Sequence, residues 1–415
     1  MEKKIKLLRD LVKYYLCNGQ PDLGYNCEPF MNFLESIWKD VADSPFSNFE
    51  LLEWEIEEQL SRIVEMPSDL VVFYSQLVSE TKRAFGLYKA EHYIIVPLDG
   101  SQLSGDIDFG DFHLIAKCSE ADIIKKIEKI TAIGHTEIVA LLDHTRTSRS
   151  PDFLKRNLLL IRFEGQTSPV KMYASTIAVR CIQILHLLYW NFGPAEDIFT
   201  RLKLRNPVKL LQTNSHVAIL SADDWRCGHD AERHELPQCG IVLDFMQNQD
   251  IQKRFQELFQ DFILTPTDGL TWKFLNSLVL LNKGYELECR SELELATLLY
   301  LTAGESLLTE NRYEKRLRLT AILSRLVEIP GITQSELART IEKMYKARND
   351  FVHAGRPIEY EESRENDIDT IRKAISSLIA LYFYLDTTLD DTNSNREQKW
   401  DRYVDRFFTS VIYGE

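Results

Sequence analysis

The sequence lacks any run of about 18 consecutive apolar residues, the length that an α-helix needs to cross a bilayer. Its amino terminus is basic, but it continues into an amphipathic pattern instead of the apolar core of a signal peptide. The seven cysteines are scattered and odd in number, which favours free thiols in a reducing compartment over a disulfide framework. Together these absences predict a soluble protein of the cytoplasm.

The chain also lacks an excess of positive charge. Lys and Arg number 49 against 63 Asp and Glu, so the formal net charge is −14. This balance excludes a protein that coats nucleic acid over its whole surface, but it permits a small basic site. At 415 residues the chain is longer than one hydrophobic core usually supports, so we expect two or three domains.

The spacing of apolar residues changes twice along the chain. Helical spacing covers the segment up to about residue 86, and short apolar runs between Gly, Asp and Ser predict strands after it. These strand predictions cover His92–Leu98, Ile107–Ala116, Glu137–Leu142, Leu158–Phe163, His216–Leu220 and Ile241–Phe245. A strongly apolar segment among them, Val170–Trp190, predicts a helix.

After residue 246 only helical patterns follow. The predicted helices are Ile251–Phe262, Leu270–Leu281, Glu292–Leu308, Tyr313–Val327, Ser335–Ala347 and Asp367–Leu389, with a final short helix behind a polar connection. Thr333-Gln334-Ser335-Glu336 has the form of a capping box. Four of these helices carry an apolar stripe, which predicts a bundle. The two best formed stripes are Leu319, Ile322, Leu323 and Leu326 on one helix and Leu337, Ile341, Met344 and Tyr345 on the next. The fold prediction is therefore α+β, with a mixed helical and α/β sensing or regulatory region at residues 1–245 and an all-α domain at residues 246–415.

One hexapeptide in the helical region combines residue types that suit RNA cleavage. Arg348-Asn349-Asp350-Phe351-Val352-His353 contains an arginine, an amide directly after it, and a histidine. Metal-free cleavage needs a base for the proton of a ribose 2′-OH and a cation for the extra charge on the phosphorane. Histidine titrates near neutrality and serves as base or acid, while arginine binds two phosphate oxygens in fixed geometry.

The hexapeptide and the helices before it resemble the HEPN superfamily, whose R-x4–6-H motif matches Arg348 and His353. The helix with Ala303-Gly304-Glu305 late in it is similar to the family as well. The resemblance implies a metal-independent endoribonuclease without a cofactor, of the toxin or anti-phage defence type, whose partners are RNA and a phage or host trigger molecule. It carries catalytic roles to Arg348 and His353, and it implies that Asn349 orients the substrate or the histidine.

The offset between the arginine and the histidine bears on how a site is assembled. Five residues on an ideal helix are a rotation of about 500°, so the two side chains lie roughly 140° apart. Either the helix ends near Asn349, or a second copy across a two-fold axis completes the site. HEPN proteins usually form such dimers, so we expect a homodimer. Residues 301–356 carry ten Lys and Arg against seven Asp and Glu, a local excess that attracts phosphate.

Two alternatives to catalysis at the hexapeptide stay open. In a purely structural interpretation, Arg348 and His353 cap helix ends. In the second alternative, the region is a non-catalytic HEPN scaffold that binds a nucleotide or a protein partner, as some members of the family do.

Two further patterns resemble known sites. Cys227, His229, His234 and Cys239 form C-x-H-x4-H-x4-C, a donor set that suits zinc, but the single residue between the first two donors makes an unusually tight chelate. Gly100-Ser101 followed by Asp106-Ile107-Asp108 resembles the signature of minimal nucleotidyltransferases, in which paired aspartates hold Mg²⁺. Only four residues separate the serine from the first aspartate, too few for the helix turn that cradles a triphosphate, so an amphipathic strand is the preferred interpretation.

Overall fold

Helices outnumber strands in the computed structural model of the chain, and one antiparallel main sheet lies in its amino-terminal half, as the α+β prediction states. The structure describes residues 1–18, 23, 27–42, 49–87, 89–98, 101–140, 155–193, 217–221, 225–228, 241–264, 269–289, 292–308, 315–354, 362–385 and 396–413. The helices are α1 (Glu2–Cys17), α2 (Glu28–Val41), α3 (Phe49–Ser61), α4 (Leu70–Leu87), α5 (Glu120–Thr131), α6 (Thr167–Phe192), α7 (Gln249–Phe259), α8 (Gly269–Cys289), α9 (Leu293–Leu308), α10 (Lys315–Leu326), α11 (Gln334–Ala354), α12 (Glu362–Ala380) and α13 (Arg396–Tyr413). The strands are β1 (Lys89–Leu98), β2 (Ser101–Gln102), β3 (Ile107–Phe109), β4 (Phe112–Ile115), β5 (Asn157–Gln166), β6 (Val217–Ser221), β7 (Trp225–Gly228) and β8 (Ile241–Val242).

The first four helices pack around a hydrophobic cluster of their own. Helix α1 buries Leu8, Leu11, Val12 and Tyr15, which recur at helical spacing and form one apolar stripe. Helix α2 adds Phe30, Phe33 and Leu34, all fully buried, to the same cluster. The helical prediction for this segment is confirmed.

The main sheet has the strand order β3-β4-β5-β1-β6-β7, and every pairing in it is antiparallel. Strands β1 and β5 pair along their whole lengths, from Lys89 opposite Gln166 to Leu98 opposite Asn157. Because side chains alternate along a strand, Ile94 and Val96 lie on the face that packs against α6, whereas Tyr93 and Ile95 lie on the face that packs against α5. The sheet is therefore covered by helices on both faces.

The carboxy-terminal helices share the largest hydrophobic cluster with one face of the sheet. This cluster runs from Ile94 to Phe408 and so contains residues on both sides of the predicted domain boundary at 245/246, which stays a prediction. Close approach of the helices depends on small residues. A Cβ at Gly304 of α9 would lie 2.7 Å from Ile375 Cδ1 and 2.9 Å from Leu319 Cδ1, so α9 packs directly on α10 and α12.

Several predicted elements differ from the observed ones. The predicted strand Glu137–Leu142 is wrong where it is described, because residues 135–140 are helical; a short apolar run has no period long enough to separate helix from strand. The predicted strand Ile241–Phe245 ends at Val242 and continues as a 3₁₀ helix, Leu243–Gln247. The last helix, α13, is 18 residues long instead of short. No helix in the part of the chain that the structure describes is long and apolar enough to cross a bilayer.

Candidate active site

All three predicted catalytic residues lie near the carboxyl end of α11. The helix starts with the predicted capping box, in which the Thr333 amide donates to Glu336 Oε2 at 2.8 Å and the Glu336 amide donates to Thr333 Oγ1 at 3.3 Å. The predicted apolar stripe is buried and consists of Leu337, Ile341, Met344 and Tyr345. Both the start of the helix and its buried face are therefore confirmed.

Helix α11 does not stop at the hexapeptide. It continues to Ala354, so the alternative in which the helix ends near Asn349 is wrong. Arg348 and His353 lie on one continuous helix, about 140° apart around its axis. The Arg348 side chain is only 21% exposed, whereas His353 is exposed. Within one chain the two groups therefore do not converge, and the two-copy alternative stays a prediction.

Arg348 is held on several sides. Its Nη1 donates to Asn349 Oδ1 at 3.2 Å and lies 3.9 Å from Glu305 Oε1 on α9. The guanidinium carbon lies 5.3 Å from the centre of the Tyr345 ring, within the range of a cation–π contact. The Nε–H is buried and has no hydrogen-bond partner among the described residues. One donor of the guanidinium is thus buried and unused within the described part of the chain.

Glu305 is the buried carboxylate of this cluster, with 6% of its surface exposed. It accepts a hydrogen bond of 2.6 Å from the Tyr345 hydroxyl, and Lys315 Nζ lies 3.8 Å from its other oxygen. Burial, followed by this hydrogen bond, raises the pKa of Tyr345 to about 12, so the hydroxyl is protonated at neutral pH. The carboxylate thus contacts a phenol and lies within 4 Å of the cationic groups of Lys315 and Arg348.

From the sequence, Tyr345 is predicted to be a core residue of the apolar stripe, and Lys315 is not predicted to belong to the site. A signal for the tyrosine was present, because a residue three positions before Arg348 lies beside it on a helix. Its contact with Glu305 joins residues 40 positions apart and depends on how α9 and α11 pack, which periodicity does not give.

Asn349 lies between the arginine and the histidine. It precedes His353 by four residues, about 40° around the helix, and it accepts the hydrogen bond from Arg348. Lys346 is exposed and precedes His353 by two turns, on the same face. The exposed face of α11 therefore combines an imidazole, an amide and an ammonium group, with the arginine behind the amide.

The two other candidate sites differ in how much of each the structure describes. Of the zinc candidates, Cys227 lies in β7, and its side chain together with His229, His234 and Cys239 lies outside the described residues. Within those residues no group of three or more His, Cys, Asp or Glu is arranged to hold a metal.

The two aspartates of the nucleotidyltransferase-like pattern contact different local partners. Asp106 Oδ1 accepts hydrogen bonds of 2.9 Å from Lys126 Nζ and from the Ala116 amide. Asp108 Oδ1 lies 2.9 Å from His113 Nδ1 across the β3–β4 hairpin. Each carboxylate thus contacts a different neighbouring side chain, Lys126 for Asp106 and His113 for Asp108, as an amphipathic strand predicts.

Comparison of the chain with protein-family models, with curated proteins and with solved structures finds no match. The HEPN resemblance accordingly rests on the residues of this chain alone.

Proposed function

We propose that this protein is a metal-independent endoribonuclease of HEPN type, with Arg348, Asn349 and His353 in its active site. The observation that carries the proposal is the surroundings of the Arg348 side chain. Its side chain is 21% exposed and contacts Asn349, Glu305 and Tyr345, yet its buried Nε–H has no acceptor among the described residues. A buried donor without a partner costs about 1–3 kcal/mol, and such groups call for a functional explanation. A phosphate oxygen is an acceptor of the right charge.

The chemistry assigned to the three residues follows from their types and exposure. His353 takes the proton from the ribose 2′-OH, and the resulting oxygen attacks the adjacent phosphorus. Arg348 stabilises the charge that develops on the phosphorane. Asn349, bonded to Arg348 and on the face of His353, orients the substrate between them. As the new bond forms, the bond from phosphorus to the 5′ oxygen breaks and that oxygen takes a proton from water. One product then carries a 2′,3′-cyclic phosphate and the other a 5′-hydroxyl.

A homodimer completes the proposed site. Because Arg348 and His353 lie about 140° apart on α11, one copy does not direct both groups at the same phosphate. A two-fold axis beside the end of α11 brings the arginine of each copy to the histidine of the other. In this proposal residues 1–245 sense a trigger and restrain the nuclease, which acts in the cytoplasm as a toxin or anti-phage effector.

The test is cleavage of total RNA and tRNA by purified protein in the presence of EDTA. We expect cleavage by the natural chain and a loss of about 10²–10⁴-fold in the His353→Ala and Arg348→Ala variants. His135→Ala, which removes an exposed histidine of the sheet half, is the matched control and should cleave normally. Equal cleavage by His353→Ala and the natural chain would overturn the proposal, as would complete inhibition by EDTA.

A second candidate function is a non-catalytic HEPN scaffold that binds a nucleotide or a protein partner. It is favoured by the contacts of Arg348 with Glu305 and Tyr345 inside the chain, which also suit a purely structural arginine. It predicts that Arg348→Ala and His353→Ala leave any cellular phenotype unchanged. Disruption of the buried stripe at Met344 and Tyr345 should abolish that phenotype.

A further inference from the structure

We infer that Tyr345, anchored by the buried carboxylate of Glu305, is a positioning residue for Arg348. The inference rests on the proposed function and adds two residues, from two helices, to the machinery of the same site.

The first observation is the stacking of the arginine on the tyrosine. Tyr345 precedes Arg348 by three residues, so both side chains leave α11 on neighbouring positions of one side. The guanidinium carbon lies 5.3 Å from the ring centre. Contact of this kind fixes the plane of a guanidinium group, because its delocalised face lies on the aromatic face.

The second observation is the anchor of the ring. The Tyr345 hydroxyl is 2.6 Å from Glu305 Oε1, whereas the nearest atoms of Arg348 and Lys315 are 3.9 and 3.8 Å from the Glu305 oxygens. Of these three contacts, the one to the phenol is the shortest, and the two cations lie at longer range. Glu305 is buried, so α9 holds the phenol in place through a group that solvent does not screen.

The contacts of Tyr345 with Arg348 and with Glu305 together hold the guanidinium in one orientation. Nη1 is turned to Asn349 and Glu305, and the Nε–H is left without an acceptor in the described structure. An arginine side chain otherwise loses rotamer freedom when a substrate orders it. Ordering this side chain before the substrate arrives stabilises the transition state. Loss of the ordering should therefore lower kcat more than it changes KM.

The matched control for this inference is Tyr300. It also donates from its hydroxyl to a carboxylate, Glu288 Oε2 at 2.5 Å, and it is buried in the same helical region. Its charged neighbour is Arg372 instead of Arg348. Tyr345→Phe and Tyr300→Phe therefore remove equivalent hydrogen bonds and differ in whether the proposed catalytic arginine is affected.

The experiment is a double-mutant cycle on single-turnover RNA cleavage. We expect Tyr345→Phe to lower kcat about tenfold with KM little changed, and to have no further effect when Arg348 is already alanine. Glu305→Gln, which retains an acceptor for the phenol, should keep more activity than Glu305→Leu. Tyr300→Phe should leave kcat unchanged. Unchanged kcat in Tyr345→Phe, or a tenfold loss that persists in the Arg348→Ala background, would overturn the inference.

A second measurement separates this inference from the proposed function. The Nε–H resonance of Arg348, identified by its loss in Arg348→Ala, is followed by NMR in protein labelled at arginine with nitrogen-15. We expect it to shift or broaden in Tyr345→Phe and to stay in place in Tyr300→Phe. An unchanged resonance in Tyr345→Phe refutes positioning even if RNA is cleaved. Equal cleavage by the natural chain and His353→Ala, with a shifted resonance, removes the ribonuclease proposal and leaves the positioning intact.

Discussion

Arg372 of α12 offers the sharpest test of the packing that supports the site. Its side chain is only 2% exposed, and its Nε lies 3.2 Å from Glu288 Oε2 on α8. It also pairs with Asp369 one turn earlier, and its guanidinium lies 5.1 Å from the centre of the Tyr285 ring. Burial lowers the pKa of this guanidinium, but the two carboxylates more than offset burial and raise it. The arginine is therefore charged at every accessible pH.

Arg372→Met removes the charge and keeps most of the side-chain volume. The variant leaves Glu288 and Asp369 without this cation, and the loss of one partner from a buried ion pair costs about 3–5 kcal/mol. Lys373 is the matched control, because it is the next residue, pairs with the same Asp369 at 2.9 Å and is 34% exposed. Lys373→Met should cost less than about 1 kcal/mol, since the Lys373 side chain is partly in water, which screens its pair with Asp369.

Urea unfolding followed by circular dichroism measures both variants. We expect the Arg372→Met midpoint to fall well below the Lys373→Met midpoint. The slopes should be similar, because the two variants expose nearly the same surface on unfolding. Free energies of unfolding that agree within about 1 kcal/mol would refute the reasoning, since burial would then make no difference.

Two further predictions concern Gly304 and Tyr345. Gly304→Ala should lower the free energy of unfolding by about 1 kcal/mol, because contacts of 2.7 and 2.9 Å with Ile375 and Leu319 outweigh the gain in helix propensity. The control is Gly86→Ala in α4, where nothing lies within 4 Å of the new Cβ. It should raise the free energy of unfolding by about 0.5–1 kcal/mol in the same thermal unfolding assay. The second follows from the pKa of Tyr345, which is raised from 10.0 to about 12. The folded state holds this proton more tightly than the unfolded state, so its contribution to stability is complete below pH 10 and falls as pH rises towards about 12. Urea unfolding at several alkaline pH values should show a smaller decline with pH in Tyr345→Phe than in the natural chain, and equal declines would contradict the shift.

Periodicity was sufficient to predict much of the helical region around the site. The stripes Leu319-Ile322-Leu323 and Leu337-Ile341-Met344 are buried in α10 and α11, and the capping box at Thr333 forms as expected. Each of these features depends on residues within a few turns of one another, so local spacing contains the information.

The remaining features depend on contacts between distant segments. The bond from Tyr345 to Glu305 requires α9 and α11 to be adjacent, and α9 also approaches α10 and α12 at Gly304. Helix α11 extends to Ala354, beyond the predicted end at Ala347, because its last turns have no simple apolar stripe. Residues 137–140 belong to the predicted strand Glu137–Leu142 but are helical, since a run of a few apolar residues fits either structure.

Mixing two inactive variants tests the two-copy active site most directly. Arg348→Ala and His353→Ala protein are combined under conditions that exchange subunits, and RNA cleavage in EDTA is measured. If each site takes its arginine from one copy and its histidine from the other, a mixed dimer has one complete site. Half of the dimers in an equal mixture are mixed, so we predict about a quarter of the natural activity. A mixture that stays as inactive as its components, although mixed dimers form, would contradict the account.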